Sequence, residues 1–279
     1  MSEPELRKQT AEGQQIADVT PPPAQEAPPQ EAAQIGPVGR LTGVLLSPGE
    51  TFEDINRKPT WLVPVIIGAA TVLAFTLFFN WWVNPDMDQV IRDQIRKQVE
   101  RQGGQMPPED QLASAIAIQK KIAQFAPVIA AVFTFIYYLA SAGVFALGMM
   151  VMQAKTTFKK IFSVVSWTNA AIGLVYTIVF MASLMVRDEE GLRQLDPTNP
   201  TATLPTNLGV LMPADTSPFI KSLAGSLDIF SIWTIVVLAI GLAAISGSRK
   251  ITAGKTGALV TGLWIVVVLI KAGFAAMFG

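Results

Sequence analysis

The sequence contains no cysteine and no histidine, only three tyrosines, and just 15% charged residues in a chain of 279. Without cysteine there can be no disulfide framework. With histidine also missing, Cys/His zinc sites, haem ligation, Cys or Ser-His nucleophile chemistry and histidine-based pH switching are excluded together. Lysine plus arginine equals aspartate plus glutamate at 21 each, so the chain lacks the global basic charge of a nucleic-acid binder. No catalytic residue, cofactor or metal is expected from this inventory, and no enzyme. What is abundant is apolar: 51% of residues are hydrophobic and the mean hydropathy is +0.41. An ordinary soluble domain carries about 25% charged residues, so the composition points to lipid as the solvent.

The first 35 residues stand apart. Pro4, Pro21, Pro22, Pro23, Pro28 and Pro29 lie among Gln, Glu and Ala. Such a segment cannot bury enough surface to offset the entropy of ordering and is expected to be a disordered cytoplasmic tail. It lacks the apolar core of a secretory signal, so no cleaved signal is expected. Five apolar runs follow, Trp61 to Val83, Ala126 to Met152, Ile161 to Val186, Ile229 to Ile245 and Ala258 to Phe278. Crossing a hydrocarbon core of about 30 Å takes roughly 17 to 25 apolar residues, which these runs supply, and they do not alternate as barrel strands do. Trp61 and Trp81 are 20 residues apart, roughly 30 Å of helix, which suggests one membrane thickness between two aromatic belts. The expected fold is therefore all-α, a polytopic integral membrane protein with five transmembrane helices over residues 36–279.

Charge in the connections sets an orientation. Gln153 to Lys160 carries Lys155, Lys159 and Lys160 without an acid, and Ser246 to Gly257 carries Arg249, Lys250 and Lys255 without an acid. Both loops should be cytoplasmic, which puts the N-terminus inside and the C-terminus outside. The longer connections, with six bases against six acids over Asn84 to Phe125 and three against six over Arg187 to Asp228, belong outside. Asn84-Pro85 reads as a helix start, Gly103-Gly104 as a stop and Pro107-Pro108 as a second start, giving an extracytoplasmic helical hairpin whose second arm runs on into the membrane. Asp196 to Pro213 reads as an irregular loop. Ser217-Pro218 then opens a short amphipathic helix that feeds the fourth span.

The most informative short stretch is Ser47-Pro48-Gly49-Glu50-Thr51-Phe52-Glu53-Asp54-Ile55, followed by Pro59 and Trp61. Ser47 and Glu50 have the spacing of a capping box, Pro48 suits the first helical position, and the helix should stop before Pro59. Val38, Leu41, Leu45, Phe52 and Ile55 give an apolar stripe, so Gly36 to Lys58 is expected to lie along the cytoplasmic interface. A Ser-Pro-x-Glu-Thr-Phe-x-x-Ile stretch, then Pro59 and a Trp-Leu-x-Pro entry into the first span, resembles the bacterial branch of the Yip (Ypt-interacting protein) domain family. The resemblance covers about Gly36 to Gly279. It implies a helical membrane protein; in eukaryotic members it implies contact with small prenylated GTPases and vesicle-trafficking partners.

Few polar residues enter the apolar runs. Lys271 is the only charged one, and with eight residues after it, about 12 Å of helix, its stem is expected to snorkel to the outer interface. Asn169 is expected to hydrogen-bond to a neighbouring helix, Asn80 to sit at the interface, and the pairs Ala70/Ala74 and Ala239/Ala243 to allow close helix packing. Gly254-Lys255-Thr256 matches only the end of a P-loop, with Arg249 where the first glycine belongs, and reads as an ordinary basic loop. The reading that results is a non-enzymatic scaffold or adaptor whose partners are the lipid bilayer and a membrane or cytoplasmic protein, with homo-oligomerisation open. The alternative is a permease or channel component for an unidentified solute. Ion-coupled transport usually places acids near the midplane, and these runs hold none.

Overall fold

The computed structural model describes residues 35–193, 195, 206–213 and 215–278. The disordered tail expected before Ile35, and the irregular loop over 196–205, lie outside the described residues. The helices are α1 (Pro37–Leu46), α2 (Pro48–Arg57), α3 (Leu62–Trp82), α4 (Met87–Arg101), α5 (Glu109–Gln124), α6 (Ala126–Val151), α7 (Phe158–Met185), α8 (Glu189–Arg193), α9 (Pro218–Ser226), α10 (Ile229–Ala244) and α11 (Ala253–Phe278). Among the described residues there is no strand, only an isolated bridge between Asn207 and Asp228 beside a 3-10 turn at Leu208–Leu211. The end of the expected irregular loop is thus ordered, because Leu208 N donates to Leu227 O at 3.1 Å.

Four helices, α3, α6, α7 and α11, are long and apolar enough to cross a membrane. The fourth apolar run forms the shorter α10, 16 residues or about 24 Å of helix. α7 is the axis of the bundle. It packs against α1, α2, α3, α6 and α10, and an unbroken run from Ile161 to Thr168 is buried on every side. The peripheral helices turn their apolar faces outward: Val132, Phe133, Ile136 and Leu147 on α6 and Val266, Val267 and Ile270 on α11 are all exposed. Apolar surface of that extent is incompatible with water and fits hydrocarbon.

The bundle has two distinct ends. α3 runs parallel to α7: Trp61 packs on Phe162 at 5.4 Å, Phe75 on Phe180 at 5.4 Å, and Trp82 Nε1 donates to Leu184 O at 3.4 Å. α10 runs the other way, with Phe230 edge-on to Tyr176 at 5.1 Å and Gly241 facing Val164. At the lower end Lys155 N donates to Ser246 O at 2.8 Å, which holds the two basic loops together. Gly247 makes this possible. It sits at φ +66, and a Cβ there would lie 2.5 Å from the Lys155 carbonyl oxygen. The opposite end carries α4, α5 and the segment leading to α9. There α4 and α5 pack through Ile91, Ile95, Leu112 and Ile116, and Arg92–Glu109 and Lys120–Asp88 pair at 2.7 Å each.

Several local expectations need correcting. α4 is capped by Asp86, whose carboxylate accepts from Asp88 N and Gln89 N, whereas Asn84 takes φ 43 and ends the previous turn. Asparagine tolerates that left-handed conformation, which the residue before a helix-starting proline was not expected to need. Ala70 and Ala74 face outward; the small residue at the α3–α6 contact is Gly68, where a Cβ would meet the Tyr138 hydroxyl at 2.5 Å. Trp61 is half-buried between Phe135 and Phe162. Gly254-Lys255-Thr256 lies in the first turn of α11, not in a loop, and the Thr256 hydroxyl donates to Ala239 O at 2.6 Å to lock α11 onto α10.

Candidate functional site

The Ser47 to Trp61 motif starts a helix where its proline and serine pattern requires, but by another mechanism than a capping box. Ser47 is the residue before α2 and Pro48 its first helical position, yet the Ser47 side chain accepts no capping bond. Instead the Thr51 hydroxyl donates back to Ser47 O at 3.0 Å. α1 also passes very close to Thr51, and Gly43 allows it: a Cβ there would lie 2.3 Å from Thr51 Oγ1. The segment expected to lie as one stripe along the membrane surface is therefore two helices broken at Ser47. Its apolar residues are core: Val44, Phe52 and Ile55 are fully buried against α7 and α10. Val38 faces outward, while Arg40 and Val44 form the buried side of α1.

Between the two short helices lies a buried ion pair. Arg40 is 4% and Asp54 7% exposed. The Arg40 guanidinium donates to Asp54 Oδ2 through Nε at 2.8 Å, with Nη2 at 2.7 Å from the same oxygen, and through Nη1 to Thr60 Oγ1 at 2.6 Å. Trp167, deep in α7, donates from Nε1 to Thr60 O at 2.8 Å. Four segments thus meet in one hydrogen-bonded chain, from α1 through α2 and the turn before α3 to the bundle axis. Asn56 adds a fifth by donating to Ala244 O at 3.3 Å, at the end of α10. Pairing and satisfied hydrogen bonds are what allow charges to remain in such a place. This network fixes the motif at the end of the bundle that carries Lys155, Lys159, Lys160, Arg249, Lys250 and Lys255.

The opposite end holds a polar cleft. Lys271 reaches it from α11, its ammonium 3.4 Å from the Ser226 hydroxyl at the end of α9. Asp228, the cap of α10, lines the same cleft; its carboxylate accepts from Phe230 N at 2.8 Å, Ser231 N at 3.0 Å and the Ser231 hydroxyl. Asn169 lines the neighbouring, more apolar cleft rather than this one. Its side chain donates to Val165 O at 2.8 Å on its own helix, one turn back, which corrects the expected bond to a neighbouring helix. Asn80 behaves similarly, donating to Thr76 O at 2.8 Å. Lys271 and Asn169 are therefore not brought together. Outside the bundle, the hydrogen bond from Arg92 holds the Glu109 carboxyl below the usual carboxylate range and raises Arg92 in turn.

Arg40, Asp54, Thr60, Trp167 and Asp228 were not singled out by the sequence. One signal was present: Asp54 falls between Phe52 and Ile55 on the face that Thr51 shares, so the helical period alone placed a carboxylate on the buried side.

A helical bundle with outward apolar faces, four helices of membrane-spanning length and a basic end opposite a mixed-charge end defines a polytopic membrane protein. The chain belongs to the Yip1 domain family, whose model matches residues 42–275 and so includes the whole Ser47 to Trp61 motif. It is similar to the membrane protein YknW of Bacillus subtilis (strain 168), 24% identical over 228 residues, covering 81% of this chain and 87% of that protein. That likeness agrees with the bacterial branch of the family. No solved structure matches the chain significantly.

Proposed function

We propose that this protein is a non-enzymatic membrane scaffold or adaptor that docks a protein partner on a rigid cytoplasmic platform. The observation that carries the reading is the buried Arg40–Asp54–Thr60–Trp167 chain, which ties α1 and α2 to the axis of the bundle. A pair of surface helices free to move would make a poor docking template; a pair held by a desolvated ion pair and by Phe52 and Ile55 presents one fixed outer face. That face has exposed Glu50, Glu53 and Arg57, and stands beside the joined basic loops. Each lysine or arginine near an anionic leaflet adds about 1 kcal/mol of attraction, so lipid and partner are held by the same end.

Five crossings follow within this proposal. α10 meets Tyr176 with its first turn and Val164 with Gly241 in its last, and so accompanies α7 for 12 residues, about 18 Å. With α10 counted as a crossing, the basic loops are cytoplasmic, the α4–α5 hairpin is extracytoplasmic and the C-terminus is outside. The permease reading is less favoured, because the buried charge lies at one end of the bundle. Reconstitution into liposomes loaded with a solute panel tests the choice. No flux above protein-free vesicles is expected, together with a stoichiometric protein crosslinked through a photoreactive residue at Glu53. Robust flux with no crosslinked partner would overturn the reading.

A further inference from the structure

At the end opposite the basic loops, α7, α9, α10 and α11 enclose the cleft of about 800 Å³ into which Lys271 reaches. Its polar wall is unusual in what it leaves open. Among the described residues Lys271 has no acid within ion-pair distance, only the Ser226 hydroxyl at 3.4 Å. Ser222 Oγ and Thr206 Oγ1, in the same wall, are shielded from solvent with no hydrogen-bond partner. Asp228 lies in the same wall without pairing with the ammonium, and its carboxylate accepts from two amides and the Ser231 hydroxyl. The Lys271 ammonium and the two unpartnered hydroxyls, in a wall that also carries Lys221, are complementary to an oxyanion with three or more acceptor oxygens.

Beside it lies a second cleft of about 460 Å³ whose character is different. Its wall is mostly apolar, with Phe145, Ile172, Leu238, Val260 and Leu263, and it shares Tyr176, Asp228, Ser231, Trp264 and Val267 with the polar cleft. The next turns of α11, at Val266 and Ile270, face outward with the lipid-facing surface. A charged pocket adjoining an apolar slot, at the level where a helix leaves the hydrocarbon, matches a molecule with an anionic head and an apolar chain.

We propose that the paired clefts bind a phospholipid from the leaflet at this end, its phosphate on Lys271 and Ser222 and one acyl chain in the apolar slot lined by Trp264 and Leu263. The site is independent of the scaffold reading. Lys271 is then a binding residue, held at the mouth of the cleft by the length of α11, and the unpartnered hydroxyls of Ser222 and Thr206 have the phosphate oxygens as acceptors.

The test uses the full chain in dodecyl maltoside, a detergent without phosphate, titrated with dioctanoyl phosphatidylglycerol while thermal unfolding and native mass spectra are recorded. A saturable rise in Tm and a one-to-one adduct are expected. Lys271→Met should weaken the apparent Kd at least about tenfold, Lys271→Arg should keep most of the affinity, and the surface control Lys97→Met should behave as the parent. Dioctanoylglycerol, which has the chains without the phosphate, and inorganic phosphate, which has the reverse, should each give no shift. An equal response in Lys271→Met, or a full shift with dioctanoylglycerol, would overturn the proposal. A full shift with inorganic phosphate alone would assign the polar cleft to a free anion and overturn the lipid. Should Lys271→Met fail to fold, Ser222→Ala carries the same test, with weaker binding expected and unchanged binding against it.

Discussion

Replacing Asp54 with alanine removes one partner of a pair whose side chains are 5% and 9% exposed, and leaves the Arg40 guanidinium desolvated with a single strong contact, the 2.6 Å bond to Thr60. Breaking a buried pair from one side typically costs about 3 to 5 kcal/mol, because the remaining charge is uncompensated. The Thr60 bond survives and the cleared volume lets a water approach, so the lower end, about 3 kcal/mol, is expected. The double variant Arg40→Met/Asp54→Leu removes both charges and keeps the volume. It should cost less than the single one, and buried pairs replaced in this way are often neutral. Unfolding in mixed micelles gives the free energies, and hydrogen exchange at the amides of α1 and α2 locates them, with protection lost there first and α6 and α11 unchanged. A cost for Asp54→Ala below about 1 kcal/mol, the range of an exposed pair, would refute the view that this pair anchors the platform. So would a double variant as unstable as the single.

Four further outcomes are expected. Because the chain has no cysteine, single cysteines at Thr157 and Thr252 should resist an impermeant maleimide added to intact cells while one at Gln105 reacts; labelling at Thr157 would reverse the orientation. Gly241→Ala should lower stability by about 1 to 3 kcal/mol in thermal melts, since its Cβ would lie 2.6 Å from Val164 Cγ1 and 3.0 Å from the Phe52 ring, and a neutral result would show that α2 is loosely seated. Ser47→Ala should cost only a few tenths of a kcal/mol, less than the 0.5 to 2 of a true cap at about the same position, whereas Thr51→Val should cost more by losing the bond to Ser47 O. The Arg92–Glu109 pair lowers the Glu109 carboxyl from its usual range. Its contribution is then complete above the ordinary glutamate value of about 4.3 and fades as pH falls through the lowered one. Hydrogen exchange in α4 and α5, corrected for intrinsic rates, should show this acid loss, and Glu109→Gln should reduce it.

The apolar runs were legible because a lipid-facing helix needs only length and composition, and α3, α6 and α7 begin and end within three residues of the runs that predicted them. The fourth run matches α10 to within one residue, whereas α11 begins at Ala253, five residues before the fifth run. Composition does not register where a cap falls. The two ends of the bundle were legible from the acid-free loops, and the hydrogen bond from Lys155 to Ser246 gives that pattern a physical meaning: the loops form one surface.

The polar interior was not legible, for a reason that applies beyond this chain. Arg40 and Asp54 are 14 residues apart on different helices, and the expected fate of a charge near a membrane surface is solvation. Only the turn at Ser47 brings them together, and the sharpness of that turn depends on Gly43 admitting Thr51, a contact between two small residues that no hydropathy pattern contains. The same holds for Lys271. Its place near the end of an apolar run suggested a side chain reaching for headgroups, but whether it meets bulk lipid or a shaped cleft depends on where α9 lies, and α9 is placed by the bridge of Asn207 to Asp228 and the close approach of Gly209 to Gly225. In both cases an apolar pattern built the frame, and a short connection with a glycine decided which polar groups would face each other inside it.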